Sequence, residues 1–247
     1  MEINYLNKII DKYNLGGLVE AVKWKVKDSI LTIDFVSPNS DFIGNITANN
    51  FELRNSDFCI FSTTKLVKIL SVFKDNVNLT LEGDEVLKSY NILYIKNKNL
   101  KSKFTLCDEH IINLPSASVV DQEYTFSIPL TKTFTDLFNK TRNALKDTEK
   151  FTISARFNKE QQQSQLYFTV GDTVDYADNI EIEGEIPLVD AISFDPIPFN
   201  VDNFNNILQS NKNAEQMLLE LAVEGLIKLT FVEGNITSSY YLVRLES

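Results

Sequence analysis

Phe61-Ser62-Thr63-Thr64-Lys65-Leu66-Val67-Lys68-Ile69-Leu70 aligns without a gap on Phe199-Asn200-Val201-Asp202-Asn203-Phe204-Asn205-Asn206-Ile207-Leu208. In both stretches an apolar run comes first and a helical period follows. Leu66, Ile69, Leu70 and Phe73 share one face in the first, and Val201, Phe204, Ile207 and Leu208 share one in the second. Each stretch leads into about three strand-like runs, so the pair reads as two copies of one unit. Thr63 and Thr64 are the expected N-caps of the earlier helix.

Two further segments carry the same period. Ile3, Leu6, Ile10 and Tyr13 line one face near the start, with Lys8, Asp11 and Lys12 elsewhere. Phe134, Leu137, Phe138, Thr141 and Leu145 line another, opposite Lys132, Asp136, Lys140 and Lys146. Each helix should lay its apolar face on a sheet. The strands are read from β-branched and aromatic runs bounded by Asn, Asp and Gly. They include Ile30–Val36, Val77–Leu81, Phe151–Ala155, Leu166–Val170, Leu226–Val232 and Tyr240–Leu245. The chain is thus expected to be α+β, a duplicated domain of two helices packed on antiparallel sheets. The domains are 1–110 and 122–247, joined by a connector over 111–121 with Leu114-Pro115-Ser116-Ala117-Ser118 at its centre.

Composition narrows the function. The 247 residues hold 24 basic and 34 acidic side chains, a net charge of −10, and 43% hydrophobic residues. That composition suits a globular protein rather than a disordered chain. No apolar run approaches the ~20 residues that span a bilayer, and the opening residues lack a signal-peptide pattern, so a cytoplasmic location is expected. A Ser-His or Cys-His catalytic pair would have to use His110, the single histidine. Cys107 and His110 supply half a zinc set, with Cys59 the one other thiol. The cysteines read as free thiols of a reducing compartment. The eight glycines form no phosphate-binding loop. Acids from Asp172 to Glu185 read as a solvated loop leading to a strand edge. Neither an enzyme nor a cofactor is called for.

Charge is spread unevenly. Segments 2–14, 64–75, 131–147 and 201–213 hold ten cations: Lys8, Lys12, Lys65, Lys68, Lys74, Lys132, Lys140, Arg142, Lys146 and Lys212. Six acids share those segments, a net of +4, which leaves −14 for the remainder. A basic helical face on an acidic protein attracts a polyanion and turns its sheets away from it. Duplex DNA, bound without sequence preference, is the natural candidate.

With two such domains, the chain resembles a DNA sliding clamp, most nearly the polymerase processivity clamp of T-even-type bacteriophages, related to proliferating cell nuclear antigen. The likeness rests on Tyr124-Thr125-Phe126-Ser127-Ile128-Pro129-Leu130 entering the third helix, on the Phe199-to-Leu208 junction and on Tyr240-Tyr241-Leu242-Val243. It implies a homotrimer closed into a ring of six domains, helices lining the hole and the ten cations facing duplex DNA. It also implies a replicative polymerase as client and a separate ATP-dependent clamp loader, in the infected host's cytoplasm if the chain is phage-encoded. By position, a client peptide would meet Ile111, Ile112, Leu114, Pro115, Tyr241 and Val243. Phe104, Leu106, Ile182 and Ile186 lie in candidate edge strands for the subunit interface. The competing reading is an acidic, β-rich structural protein of a virion or baseplate, in which the lysines only solvate their helices. An enzyme with buried carboxylates ranks below both.

Overall fold

A computed structural model describes residues 1–84, 89–115, 123–160, 162–172, 177–188 and 191–246. The chain divides into two units, one of residues 1–119 with 232–239 and one of residues 120–231 with 240–247.

Along the chain the first copy of the repeat runs α1 (Ile3–Asn14), β1 (Val22–Lys27), β2 (Ile30–Val36), β3 (Phe42–Asn49), β4 (Ser56–Ile60), α2 (Thr63–Leu70), β5 (Asn78–Asp84), β6 (Ser89–Lys96) and β7 (Lys101–Thr105). The second opens on β8 (Phe126–Pro129) and repeats the order. It has α3 (Lys132–Ala144), β9 (Lys150–Asn158), β10 (Gln163–Gly171), β11 (Asn179–Glu183), β12 (Phe194–Asn200), α4 (Val201–Ser210), β13 (Gln216–Ala222), β14 (Leu226–Glu233) and β15 (Ile236–Val243). The first four strands of each copy lie side by side in one spatial order, β4-β1-β2-β3 and β12-β9-β10-β11. The last three also match, as β5-β6-β7 and β13-β14-β15.

Alternation explains the sheets. In β1, Val22, Trp24 and Val26 are buried while the lysines between them face out, the period-2 pattern of a half-buried strand. Trp24 meets Phe51 and Phe58 at 5.7 Å between ring centres and Tyr13 of α1 at 6.4 Å. The second unit replaces this group with phenylalanines. Phe138 of α3 lies 4.9 Å from Phe204 of α4 and 5.2 Å from Phe151 of β9. Such edge-to-face pairs add about 0.5–1.5 kcal/mol beyond burial.

The aligned decapeptides occupy matching places. Ser62 and Asn200, equivalent in the alignment, both cap their helices, accepting from the N–H of Lys65 at 3.4 Å and of Asn203 at 2.9 Å. The cap of α2 is therefore Ser62, not Thr63 or Thr64. The Thr63 hydroxyl is buried and donates to the Glu20 carbonyl at 2.8 Å instead. Thr63, Leu66 and Leu70 are buried, as are Val201, Phe204 and Leu208 at the equivalent positions. Leu137, expected inside, is 45% exposed. The buried arc of α3 runs through Phe134, Thr135, Phe138 and Thr141, and at 100° per residue Leu137 falls beyond its edge. β9 and β10 pair antiparallel with Gln163 opposite Asn158, and β11 lies within the acidic stretch after Gly171.

Candidate nucleic-acid and partner surfaces

Within each unit the helices pack in pairs, α1 with α2 and α3 with α4, their apolar faces on the strands. Lys65 and Lys68 are exposed on α2, and Lys132 and Lys140 on α3. Among the described residues these four make no ion pair, so their ammonium groups are available to an anion.

The other six cations are placed differently. Lys12 is 1% exposed and its Nζ lies 2.9 Å from a Glu233 oxygen. It points into the first unit rather than to solvent, toward Glu233 at the end of β14. Lys8, half-exposed, takes the other Glu233 oxygen at 2.8 Å. Burial alone would push the Glu233 carboxyl up; hydrogen bonds and charge from Lys8 and Lys12 outweigh that and hold it below its ordinary value. Arg142 grips Asp202 with two bonds, Nε at 2.6 Å and Nη2 at 3.0 Å, joining α3 to α4. A bidentate pair of this kind is strong and geometrically specific, and it cancels the charge that the sequence assigned to DNA. Lys74, Lys146 and Lys212 are exposed but lie past the ends of α2, α3 and α4. There they suit the negative helix termini.

The apolar positions expected to meet a client differ in exposure. Ile111 is 58% and Val243 51% exposed. Leu114, Pro115 and Tyr241 are half-buried, and Ile112 is buried. Residues 116–121 of the expected connector lie outside the described residues.

Of the expected interface positions, Phe104 lies on β7 and Ile182 on β11, and each strand ends its sheet. Phe104, Leu106 and Ile182 are buried within their own units, whereas Ile186 is exposed. At these edges it is the backbone and the outward-facing neighbours that remain available. The sequence reading named residues of these strands but not their outward-facing neighbours. Lys96, Lys98, Lys101 and Lys103 form the densest basic run in the chain, unbroken by an acid from 96 to 107, and that run is the signal that could have found this surface.

Cys59 and Cys107 face each other across an isolated antiparallel bridge, the N–H of Cys107 donating to the Cys59 carbonyl at 3.1 Å. Both are free thiols. Burial pushes Cys59 up to about 12, which keeps it protonated and unreactive. His110 is exposed in a short 3₁₀ turn beside them. Among the described residues no three His, Cys, Asp or Glu side chains are grouped to hold a metal.

No family model matches the chain, and no curated protein matches it in sequence. Solved structures do. The chain is similar to proliferating cellular nuclear antigen from Entamoeba histolytica, with a TM-score of 0.72 at 14% identity over 99% of this chain and 96% of that one. It is likewise similar to PCNA of A. fulgidus, solved with the C-terminal region of FEN-1 (TM-score 0.72, 16% identity, 100% and 98% covered). A third likeness is to the PCNA2–PCNA3 complex of Sulfolobus tokodaii (TM-score 0.67, 14% identity, 98% and 96% covered). The fold is therefore the PCNA-like clamp fold, α+β with four helices on antiparallel sheets.

Proposed function

We propose that this chain is a sliding clamp: a non-enzymatic ring of identical subunits that encircles duplex DNA and tethers a replicative polymerase to it. The observation that carries the reading is the duplicated helix-and-strand unit, similar over nearly its whole length to PCNA chains. The exposed lysines of α2 and α3 support it. They attract phosphates without fixing a register, as sliding demands. The attraction is screened within ~8 Å at physiological salt, so retention would come from closure of the ring rather than from tight contact. Tethering keeps the polymerase's effective concentration at the primer end high. The T-even phage relationship, the homotrimer and a separate ATP-dependent loader belong to the same proposal.

The test is the mass in solution. Light scattering should give three times the 28.2 kDa chain, roughly 85 kDa, falling on dilution. A monomer at every concentration overturns the ring and the mechanism with it.

Clients would meet the exposed apolar groups of the connector and of the last strand. Ile111→Ala and Val243→Ala should each weaken binding of a polymerase-derived peptide about 5- to 30-fold, the cost of truncating an anchor. Val72→Ala, equally exposed at 59% but after α2, should leave affinity unchanged. Calorimetry with the three variants decides this, and equal effects would move the peptide site elsewhere.

A further inference from the structure

We infer that Cys59 and Cys107 form a reversible disulfide, made by exchange with a small disulfide of the glutathione class, that locks the end of the first copy of the repeat onto β4. The inference does not depend on the ring reading above.

The chain has two cysteines, and they stand directly opposite each other as an isolated antiparallel pair. The N–H of Cys107 donates to the Cys59 carbonyl at 3.1 Å. That bond marks the hydrogen-bonded kind of pair, whose Cα atoms lie about 5.5 Å apart. Disulfides most often span about 5.5–6 Å between Cα atoms, so closure asks for side-chain rotation and no backbone movement. Directly opposite residues also project to one face of a sheet. Phe58 takes the core face of β4 against Trp24, so Cys59 and Cys107 share the other face.

The segment that carries Cys107 is held on both sides of the thiol. Before it, the N–H of Leu106 donates to the Asn91 carbonyl at 2.9 Å. After it, the Glu109 carboxylate takes the ammonium of Lys23 at 2.7 Å, and Lys23 is itself the partner of Cys59 across β1 and β4. The backbone contact does not need cysteine. In the second copy Leu245 N–H donates to the Pro198 carbonyl at 2.9 Å, between residues that carry no thiol. The first copy therefore places both sulfurs of the chain at a junction that closes without them.

Access sets the order of events. Cys59 is 4% exposed, whereas Cys107 is half-buried in a cleft of about 350 Å³ lined also by Lys23, Tyr90, Glu109 and His110. The Cys107 thiol gives its proton to water, and its sulfur attacks one sulfur of the small disulfide, RSSR. The S–S bond of RSSR breaks, one RS⁻ leaves and is protonated, and a mixed disulfide remains on Cys107. Cys59 then loses its proton to water and attacks the Cys107 sulfur, and the second RS⁻ leaves and is protonated in turn. Two cysteine thiols are oxidised and RSSR is reduced to two RSH. Burial, and after it the nearby Cys107 sulfur, raise the Cys59 thiol, so this second step is slow; the fixed opposition of the two sulfurs offsets that by proximity. The pair stays reduced in a reducing compartment and closes under sustained oxidation, as redox-sensing disulfides do. Ile111 and Ile112, at the head of the connector, follow closely, so the bond would fix where the connector starts.

The experiment uses the full folded chain, freed of reductant and incubated with oxidised glutathione, then measured by intact mass and by peptide mapping. The wild type should lose about 2 Da, the two thiol hydrogens, retain no glutathione, and yield one cross-linked peptide joining Cys59 to Cys107. Dithiothreitol should restore both thiols. Cys59→Ser, oxidised alike, should keep one glutathione per chain on Cys107, because the resolving sulfur is gone. A wild type that keeps both thiols, that retains glutathione, or that links chain to chain instead overturns the proposal. A Cys59→Ser chain that takes up no glutathione overturns the assigned order of attack. Should that variant fail to fold, the wild type still decides. Its urea midpoint should rise on oxidation, because the bond closes a loop of about 50 residues in the unfolded chain. An unchanged or lower midpoint would mean that the bond does not fit the folded pair, and would overturn the proposal too.

Discussion

Glu233→Gln is expected to destabilise the first unit by about 3–5 kcal/mol, because it leaves the ammonium of Lys12 buried without its carboxylate. Lys12 is 1% exposed and Glu233 9%, so water replaces little of what is lost. Lys12→Met should cost less, since Lys8 remains 2.8 Å from the other carboxylate oxygen. The double variant Lys12→Met with Glu233→Gln should recover part of the loss, as breaking a buried pair harms more than removing it whole. The sign with pH follows from the lowered carboxyl of Glu233. Its stabilising contribution is complete above the ordinary glutamate value of ~4.3. It disappears as pH falls through the lower value in the folded chain. Denaturant melts of the three variants at neutral pH and in acid check both claims. Equal stability of Glu233→Gln and wild type at pH 7, or an unchanged acid limb, would refute them.

The same pair shows what a linear reading can and cannot find. The helices were legible because their period is local: Leu66 and Leu70, or Phe204 and Leu208, announce a buried face three to four residues apart. The duplication was legible because Ser62 and Asn200 stand at the same offset and both cap. Lys12 was not, since its partner lies 221 residues away and nothing near it in sequence indicates burial. Arg142 was misread for the same reason, its Asp202 being 60 residues distant. Strands β1, β3, β6 and β13 went unnamed because short alternating runs with interspersed lysines or asparagines resemble surface loops until a neighbouring strand supplies the pairing. The cap of α2 shifted to Ser62 because Thr63 found a better acceptor in the Glu20 carbonyl, a tertiary contact across 43 residues. Long-range pairing, not local preference, accounts for each of these differences.

That sorting sharpens the test of DNA contact. Changing Lys65, Lys68, Lys132 and Lys140 together to Glu takes the chain from −10 to −18 and should abolish measurable DNA association, a loss of ~100-fold or more at low salt. If these four lysines each neutralise one phosphate, the wild type's log K should fall with log salt at a slope of about −3.6, and the variant's slope should vanish. Arg142→Gln should leave the slope in place. Its guanidinium already holds Asp202 in a bidentate pair, so removing it costs the link between α3 and α4 rather than a phosphate contact. Fluorescence anisotropy on a labelled duplex across a salt series separates the two. If the four-lysine variant kept its slope while Arg142→Gln lost it, the cations that meet DNA would be the ones the structure shows paired, and the exposed faces of α2 and α3 would only keep the protein in solution. If only the four lysines matter, attraction comes from side chains free to move from one phosphate to the next, the physical condition for a ring that holds DNA without stopping on it.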